Sequence, residues 1–265
     1  LQNHDELTYE LVHFASRHRD DEFTFRGEMT KGEQLAETIR RELTEALTGD
    51  AAPYNLVFTT NGIASTTASV VTAALGLRGL DALTEADVER VRRAHLLLAM
   101  FNALQPGVFA LSGWDLVGAL PVPAEQIESL LVEGDTRWIH RPAYDLLDAD
   151  PTATTSASGM PRARTLYGAI DAQLEDPRSF VSRLKDVLHL RGYFAIATTR
   201  QVDVPDVAHP AMLVMVHEYE QVPGQLQVTV LNFSGEPISG TVISEALAPG
   251  ARLMDMGDGS VVGEV

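Results

Sequence analysis

The spacing of apolar positions separates a mainly helical part of the chain from a strand-rich part behind it. Leu7, Leu11, Phe14 and Ala15 recur at helical spacing within residues 6–18, which predicts a short helix close behind the first residues. Thr30 with Glu33 reads as a capping box, and Leu35, Ile39, Leu43 and Leu47 then repeat every four residues until Gly49, the expected stop. Residues 55–60 are β-like, and the Ala/Thr/Val-rich run 63–75 reads as a buried helix closed by Gly76. Thr84 with Asp87 opens a further helix that runs through Val88, Val91, Leu98 and Phe101 to about Leu104, where Gln105-Pro106-Gly107 breaks it. Val108-Phe109-Ala110-Leu111 is expected to be a short buried strand.

From 112 to 165 the pattern loses its period. Gly, Trp, Asp, Pro, Arg and Tyr interleave, and the small-residue tract 152–159 predicts a mobile loop. A helix over about 177–190 carries Phe180, Leu184, Val187 and Leu188 on one side. After it the period becomes two: 212–216, 226–231 and 240–243 read as strands separated by turns at Pro223-Gly224 and Ser234-Gly235-Glu236-Pro237. Helices followed by an antiparallel sheet imply two domains with a border near 200–210, and no internal repeat is visible.

Composition narrows the class. With 265 residues, 45% hydrophobic and 22% charged, the chain has an ordinary globular balance. Its net charge of -17 argues against nucleic acid as a partner, because displacing counterions from a polyanion requires a clustered Lys/Arg surface. The absence of Cys rules out disulfides, thiolate metal sites and a thiol nucleophile, and is compatible with the reducing cytoplasm. Apolar runs such as residues 96–101 are too short to span a bilayer, and no signal-peptide pattern opens the chain, so no membrane association is expected.

The candidate chemistry is sparse. Eight His are present, but no His-x-x-x-His or His-Glu-x-x-His arrangement, so no metal site is expected. Asp255-Met256-Gly257-Asp258-Gly259 superficially resembles a calcium loop, yet lacks the further oxygen ligands at EF-hand spacing and reads better as a turn between strands. Neither a Gly-x-Ser-x-Gly elbow nor a phosphate-cradling Gly-rich loop occurs. What remains is Asn3-His4-Asp5 immediately before a helix, and two readings of it are open. Asp5 is either a cap that accepts the helix's free N–H groups, or a carboxylate at a strand-to-helix junction placed to stabilise positive charge at an anomeric carbon, with His4 donating to a ring hydroxyl.

Four ordered segments resemble the α-amylase superfamily, glycoside hydrolase family 13. Asn3-His4-Asp5 is similar to the family's last short motif, at the end of barrel strand seven. Gln105-Pro106-Gly107-Val108-Phe109-Ala110-Leu111-Ser112-Gly113-Trp114-Asp115 is similar to its strand-eight segment, residues 177–193 resemble the last barrel helix, and the sheet after about 208 resembles the antiparallel C-terminal domain. Within the family, Asn3-His4-Asp5-Glu6-Leu7-Thr8 most resembles the trehalose synthases. The resemblance implies an α/β fold: the C-terminal part of a TIM-type (β/α) barrel over 1–207 with a helical insertion at about 25–83, then an antiparallel β-sandwich over 208–265.

The resemblance also implies roles. Asp5 would be the third carboxylate, the transition-state stabiliser, with His4 and Asn3 contacting substrate and Glu6 a structural neighbour. The nucleophile Asp and the acid/base Glu, both required by a retaining mechanism, are expected upstream of Leu1, so this chain alone is expected to be inactive. The implied activity is interconversion of maltose and trehalose, with another family-13 α-glucosidase, amylase or sucrose-acting transglucosylase as the alternative, and a noncatalytic carbohydrate-binding or interface fragment as the alternative from a different class. The implied partners are a small α-glucoside and the missing N-terminal part of the same protein, with a homo-oligomer compatible. No cofactor is required, and no residues here support calcium. Trp114 and Trp138, with Tyr144 near them, are candidates for stacking on sugar faces, while Asp115 is expected to act structurally near the site. Asp135, Arg137, Arg141 and Asp145 around Trp138 read as an ion-paired loop.

Overall fold

Short apolar segments punctuated by turns give this chain many small elements in place of a few long ones. A computed structural model describes residues 7–8, 11–59 and 62–265. β1 (Leu7–Thr8) precedes α1 (Val12–Arg17), a shorter and later helix than the spacing of Leu7 and Leu11 predicts. β2 (Glu22–Phe25) and β3 (Glu28–Lys31) form a hairpin that runs directly into α2 (Gly32–Leu47). The expected capping box at Thr30 and Glu33 does not form. Thr30 pairs with Phe23 in the hairpin, and Lys31 occupies the N-cap without a side-chain bond. The ladder claims Thr30, and helix entry passes to Gly32, where a Cβ would stand 1.9 Å from the His18 carbonyl oxygen.

β4 (Leu56–Thr59) and β5 (Gly62–Ala64) pair antiparallel, and β1 adds to β5, in the order β1-β5-β4. The single helix expected over 63–75 is thus divided. Ile63 and Ala64, both 0% exposed, are sheet, and α3 (Thr67–Ala74) starts where Thr66 Oγ1 accepts from Ser69 N while Ser69 Oγ accepts from Thr66 N. α4 (Glu85–Ala103) opens as its sequence predicts, the Asp87 N–H donating to Thr84 Oγ1 at 3.2 Å and the Thr84 hydroxyl to Asp87 Oδ2 at 2.7 Å. Four short or medium helices follow, α5 (Gly113–Val117), α6 (Glu128–Leu131), α7 (Ile170–Glu175) and α8 (Phe180–Tyr193).

The last part is antiparallel. β6 (Thr199–Asp203), β7 (Met212–Tyr219) and β8 (Leu226–Asn232) form one sheet with β7 central, and β9 (Arg252–Met254) pairs with β10 (Val261–Glu264). Residues 255–259 lie in the connection between β9 and β10, where the expected turn is found.

The described residues are those of a mixed α/β chain, as expected. They combine helices with sheets of two or three antiparallel strands and contain no closed barrel. Residues 108–111 are not a strand, and Val108 is 97% exposed, because no neighbouring strand pairs with them. Residues 240–243 are not a strand, and Ile243 is 82% exposed. The terminal region is therefore a three-stranded sheet plus a hairpin, and two stacked sheets of a sandwich are not seen among the described residues.

The chain divides into two compact units. One holds the described residues up to His95 together with Leu111–Phe180, and the other holds Leu96–Ala110 and Val181–Val265. The first has three apolar clusters: Leu47, Ala52, Ile63 and Ala73; Ala64, Val122, Ile127 and Ile139; and Trp114, Val117, Ala119 and Ala163. Its 152–159 tract, expected to be a mobile loop, lies within a longer connection, 148–162, that is stitched together. Arg162 donates to the carbonyl oxygens of Asp150 and Ala153 and lies 3.4 Å from both Asp145 and Asp148 carboxylates, while Ser156 N donates to Met160 O. In the second unit β7 is covered on both faces, with Val214, Val216 and His217 at 0% exposure.

Candidate functional site

The tract 112–118 brings chemistry into the interior of the first unit because α5 is a single turn ended sharply. Gly118, at φ +60°, closes it, and the Gly118 and Ala119 N–H groups return to the Asp115 and Trp114 carbonyls. A Cβ at Gly118 would fall 2.6 Å from the Tyr167 ring, so only Gly lets that ring close over the turn. Trp114 and Asp115 are thereby turned inward, 8% and 1% exposed.

Asp115 meets α4. His95 Nε2 lies 3.4 Å from Asp115 Oδ1, and His95 Nδ1 lies 3.0 Å from the Tyr167 hydroxyl. Phe180 stacks on Tyr167 with ring centroids 5.3 Å apart and packs against His95 at 4.6 Å. Burial, and secondarily the Asp115 charge, pushes the Tyr167 phenol well above its ordinary range, so the hydroxyl keeps its proton. Among the described residues Asp115 is the only buried acid, and neither of its oxygens has an aligned hydrogen-bond donor. The cluster can hold and orient a proton donor, and its closure excludes solvent.

The aromatic candidates separate. Trp114 packs edge-on against Tyr144, with centroids 6.1 Å apart, and against His140 at 6.2 Å, and so belongs to a core cluster. Trp138 is half-buried beside Ala64, Val122, Ile127 and Ile139, with the Arg141 guanidinium 5.6 Å from its ring. Around it Arg137 forks onto Asp135, Nε to Oδ1 at 2.8 Å and a terminal nitrogen to Oδ2 at 3.0 Å, and stands 4.2 Å over Phe58. That fork, above all, holds the Asp135 carboxyl below its usual range. The Asp145 carboxyl is likewise held low, first by the Asp150 and Ala149 N–H groups that it accepts.

Asn3, His4, Asp5 and Glu6 lie outside the described residues, as do the residues at 9–10 and 60–61. Among the described residues no group of three or more His, Asp or Glu gathers to hold a metal ion. In the Asp255–Gly259 turn the carboxylates are taken by the backbone, Asp255 Oδ1 accepting from Gly257 N at 2.7 Å and Asp258 Oδ1 from Ser260 N at 2.8 Å. Among the same residues no helix is long and apolar enough to cross a membrane.

Sequence reasoning singled out Trp114 and Asp115 but missed His95 and Tyr167. The signal for His95 was present: it sits midway between Val91 and Ala99 at four-residue steps, a polar group on a stripe whose three members are all 0% exposed. Searches against known proteins add nothing further, since no family model and no curated protein matches the chain.

Proposed function

We propose that the chain is the C-terminal portion of a retaining α-glucosyl-transferring enzyme of the glycoside hydrolase family 13 type, and within it a trehalose synthase-like enzyme that interconverts maltose and trehalose. The observation that carries the reading is the order of four segments: Asn3-His4-Asp5, the Gln105–Asp115 stretch, a closing helix and a terminal antiparallel sheet. A helix within 177–193 (α8) and the antiparallel pair β7-β8 after 208 support the last two, while 108–111, the core of the second, carries no strand ladder.

In this reading a carboxylate supplied outside the chain attacks the anomeric carbon, and an acid protonates the departing glucose oxygen. Asp5 stabilises the oxocarbenium-like charge between them, with His4 and Asn3 holding sugar hydroxyls. The released glucose stays bound and its anomeric hydroxyl attacks the glucosyl-enzyme, which requires water to be kept out. No cofactor enters this scheme, and a soluble disaccharide in the cytoplasm is its substrate. Asp115 is assigned a supporting role beneath the site. The burial of Trp114 favours packing over sugar stacking for that ring, and this lends weight to a second reading, a folded but noncatalytic part of a carbohydrate-binding assembly.

Incubating the intact protein with maltose and following the sugars by NMR separates these readings. Trehalose formation is expected. Glucose without trehalose points to another family-13 activity, and no turnover of any α-glucoside points to the noncatalytic reading. In the intact protein Asp5→Ala is expected to lower kcat by roughly 10³-fold, about 4 kcal/mol of transition-state stabilisation, with little change in Tm. Retained activity with a Tm several degrees lower would make Asp5 a structural residue; the cap role open in the sequence is not available to it, because β1 (Leu7–Thr8) follows and Leu11 is the N-cap of α1.

A further inference from the structure

We infer that Tyr167, His95 and Asp115 form a directional relay in which the Tyr167 hydroxyl donates to His95 Nδ1 and His95 carries its hydrogen on Nε2, the nitrogen beside Asp115, so that His95 is a positioning residue for this carboxylate. The direction follows from donor and acceptor chemistry. A carboxylate oxygen accepts, so the ring nitrogen 3.4 Å from Asp115 Oδ1 is the one assigned the hydrogen. The other nitrogen of a neutral imidazole then offers a lone pair, and the hydroxyl 3.0 Å away, its proton retained by burial, fills it. The reverse tautomer would set a lone pair against a buried carboxylate whose oxygens already lack an aligned donor, an arrangement costly in an interior that excludes water. A doubly protonated ring would turn a second N–H onto the phenol oxygen and strand the phenol hydrogen.

Packing holds the three groups in line. Phe180 covers both rings, and the Tyr167 ring is seated against Gly118, the residue that closes the turn bearing Asp115. The relay therefore ties α4, α5 and the Tyr167 segment of one unit through polar contacts at the place where an apolar side chain would suffice for packing alone. Its role is to fix the Asp115 carboxylate in one rotamer, and it holds whether or not the glucosyl-transfer reading does.

The test is long-range ¹H–¹⁵N correlation NMR of the histidine rings in the full chain. His95 is assigned by the signal lost in His95→Gln, or through backbone connectivities should that variant fail to fold. The expected result is a single tautomer with hydrogen on Nε2 and an Nδ1 resonance shifted by an accepted hydrogen bond. Tyr167→Phe should move Nδ1 to the unbonded position and leave Nε2–H in place. Asp115→Asn, whose amide can donate as well as accept, should release the tautomer so that an Nδ1–H population appears. Hydrogen on Nδ1 in the wild-type chain, or an Nδ1 resonance unmoved by Tyr167→Phe, overturns the relay.

Discussion

Arg191→Met keeps an unbranched apolar stem and deletes a guanidinium that, in the second unit, is 9% exposed and donates to three carbonyl oxygens, those of Ala103, Gln105 and Gly107. These carbonyls end α4 and shape the turn beyond it, at a helix terminus whose last turn carries no basic residue of its own. A hydrogen bond to a charged group contributes about 1.5–3 kcal/mol, but the three are not additive. The Ala103 carbonyl belongs to a residue with 0% exposure and would lose its donor outright, whereas water reaches Gln105 and Gly107. Burial already lowers the Arg191 pKa, which marks the desolvation cost that the substitution recovers. The net expectation is a loss of about 2–4 kcal/mol, equivalent to a Tm drop of about 5–15 °C. Urea unfolding followed by circular dichroism measures it, with Arg191→Lys as control, since one ammonium cannot span three carbonyls and should recover only part. A loss below about 0.5 kcal/mol, or a Lys variant equal to wild type, would refute the clamp.

Two further outcomes are expected. His217 is fully buried on β7, and desolvation holds its imidazole below the ordinary 6.5. The unfolded chain therefore binds the proton more readily, so this contribution to stability is complete above about pH 6.5 and declines as pH falls from there toward the folded value. Tm measured between pH 7.5 and 5.5 should fall less steeply in His217→Leu, and an unchanged slope would exclude His217 as the source. Gly118→Ala places a Cβ 2.6 Å from the Tyr167 ring at φ +60° and should cost about 3–5 kcal/mol from left-handed strain plus overpacking. Adding Tyr167→Leu should recover part of that loss, and strictly additive losses would show that the ring is not what the methyl meets.

Local signals were legible where they did not compete with long-range pairing. Thr84 with Asp87 marks the start of α4, and the alternation in 212–216 and 226–231 marks β7 and β8, since these features are complete within a few residues. Thr30 carried an equally good capping signature and lost to a strand, because a hairpin partner at Phe23 lies only a few residues away. Residues 108–111 and 240–243 have strand composition but no ladder, and pairing partners are not a property of the segment itself. β6 was missed for the converse reason: Val202 is its one apolar residue, among Thr, Arg, Gln and Asp, and only its neighbour β7 makes it a strand; β9 and β10 were anticipated only as unplaced strands on either side of the 255–259 turn. At the candidate site Asp115 stood out through its Gly-Trp-Asp context, whereas His95 looked like one more residue of a long helix.

The stitching of the 148–162 loop by Arg162 sets two parts of one unit against each other in their response to salt. Its closure runs through a guanidinium and the carboxylates of Asp145 and Asp148, the latter 55% exposed, whereas the clusters of the same unit are held by apolar aliphatic and aromatic side chains. Concentrated sulfate would tighten the apolar clusters, because it is excluded from protein surface, and would at the same time screen the ion pairs that hold the loop down. Raising ionic strength should then free the loop to proteases while the body of the unit grows harder to melt, so loop order and global stability can be dialled in opposite directions by a single solute.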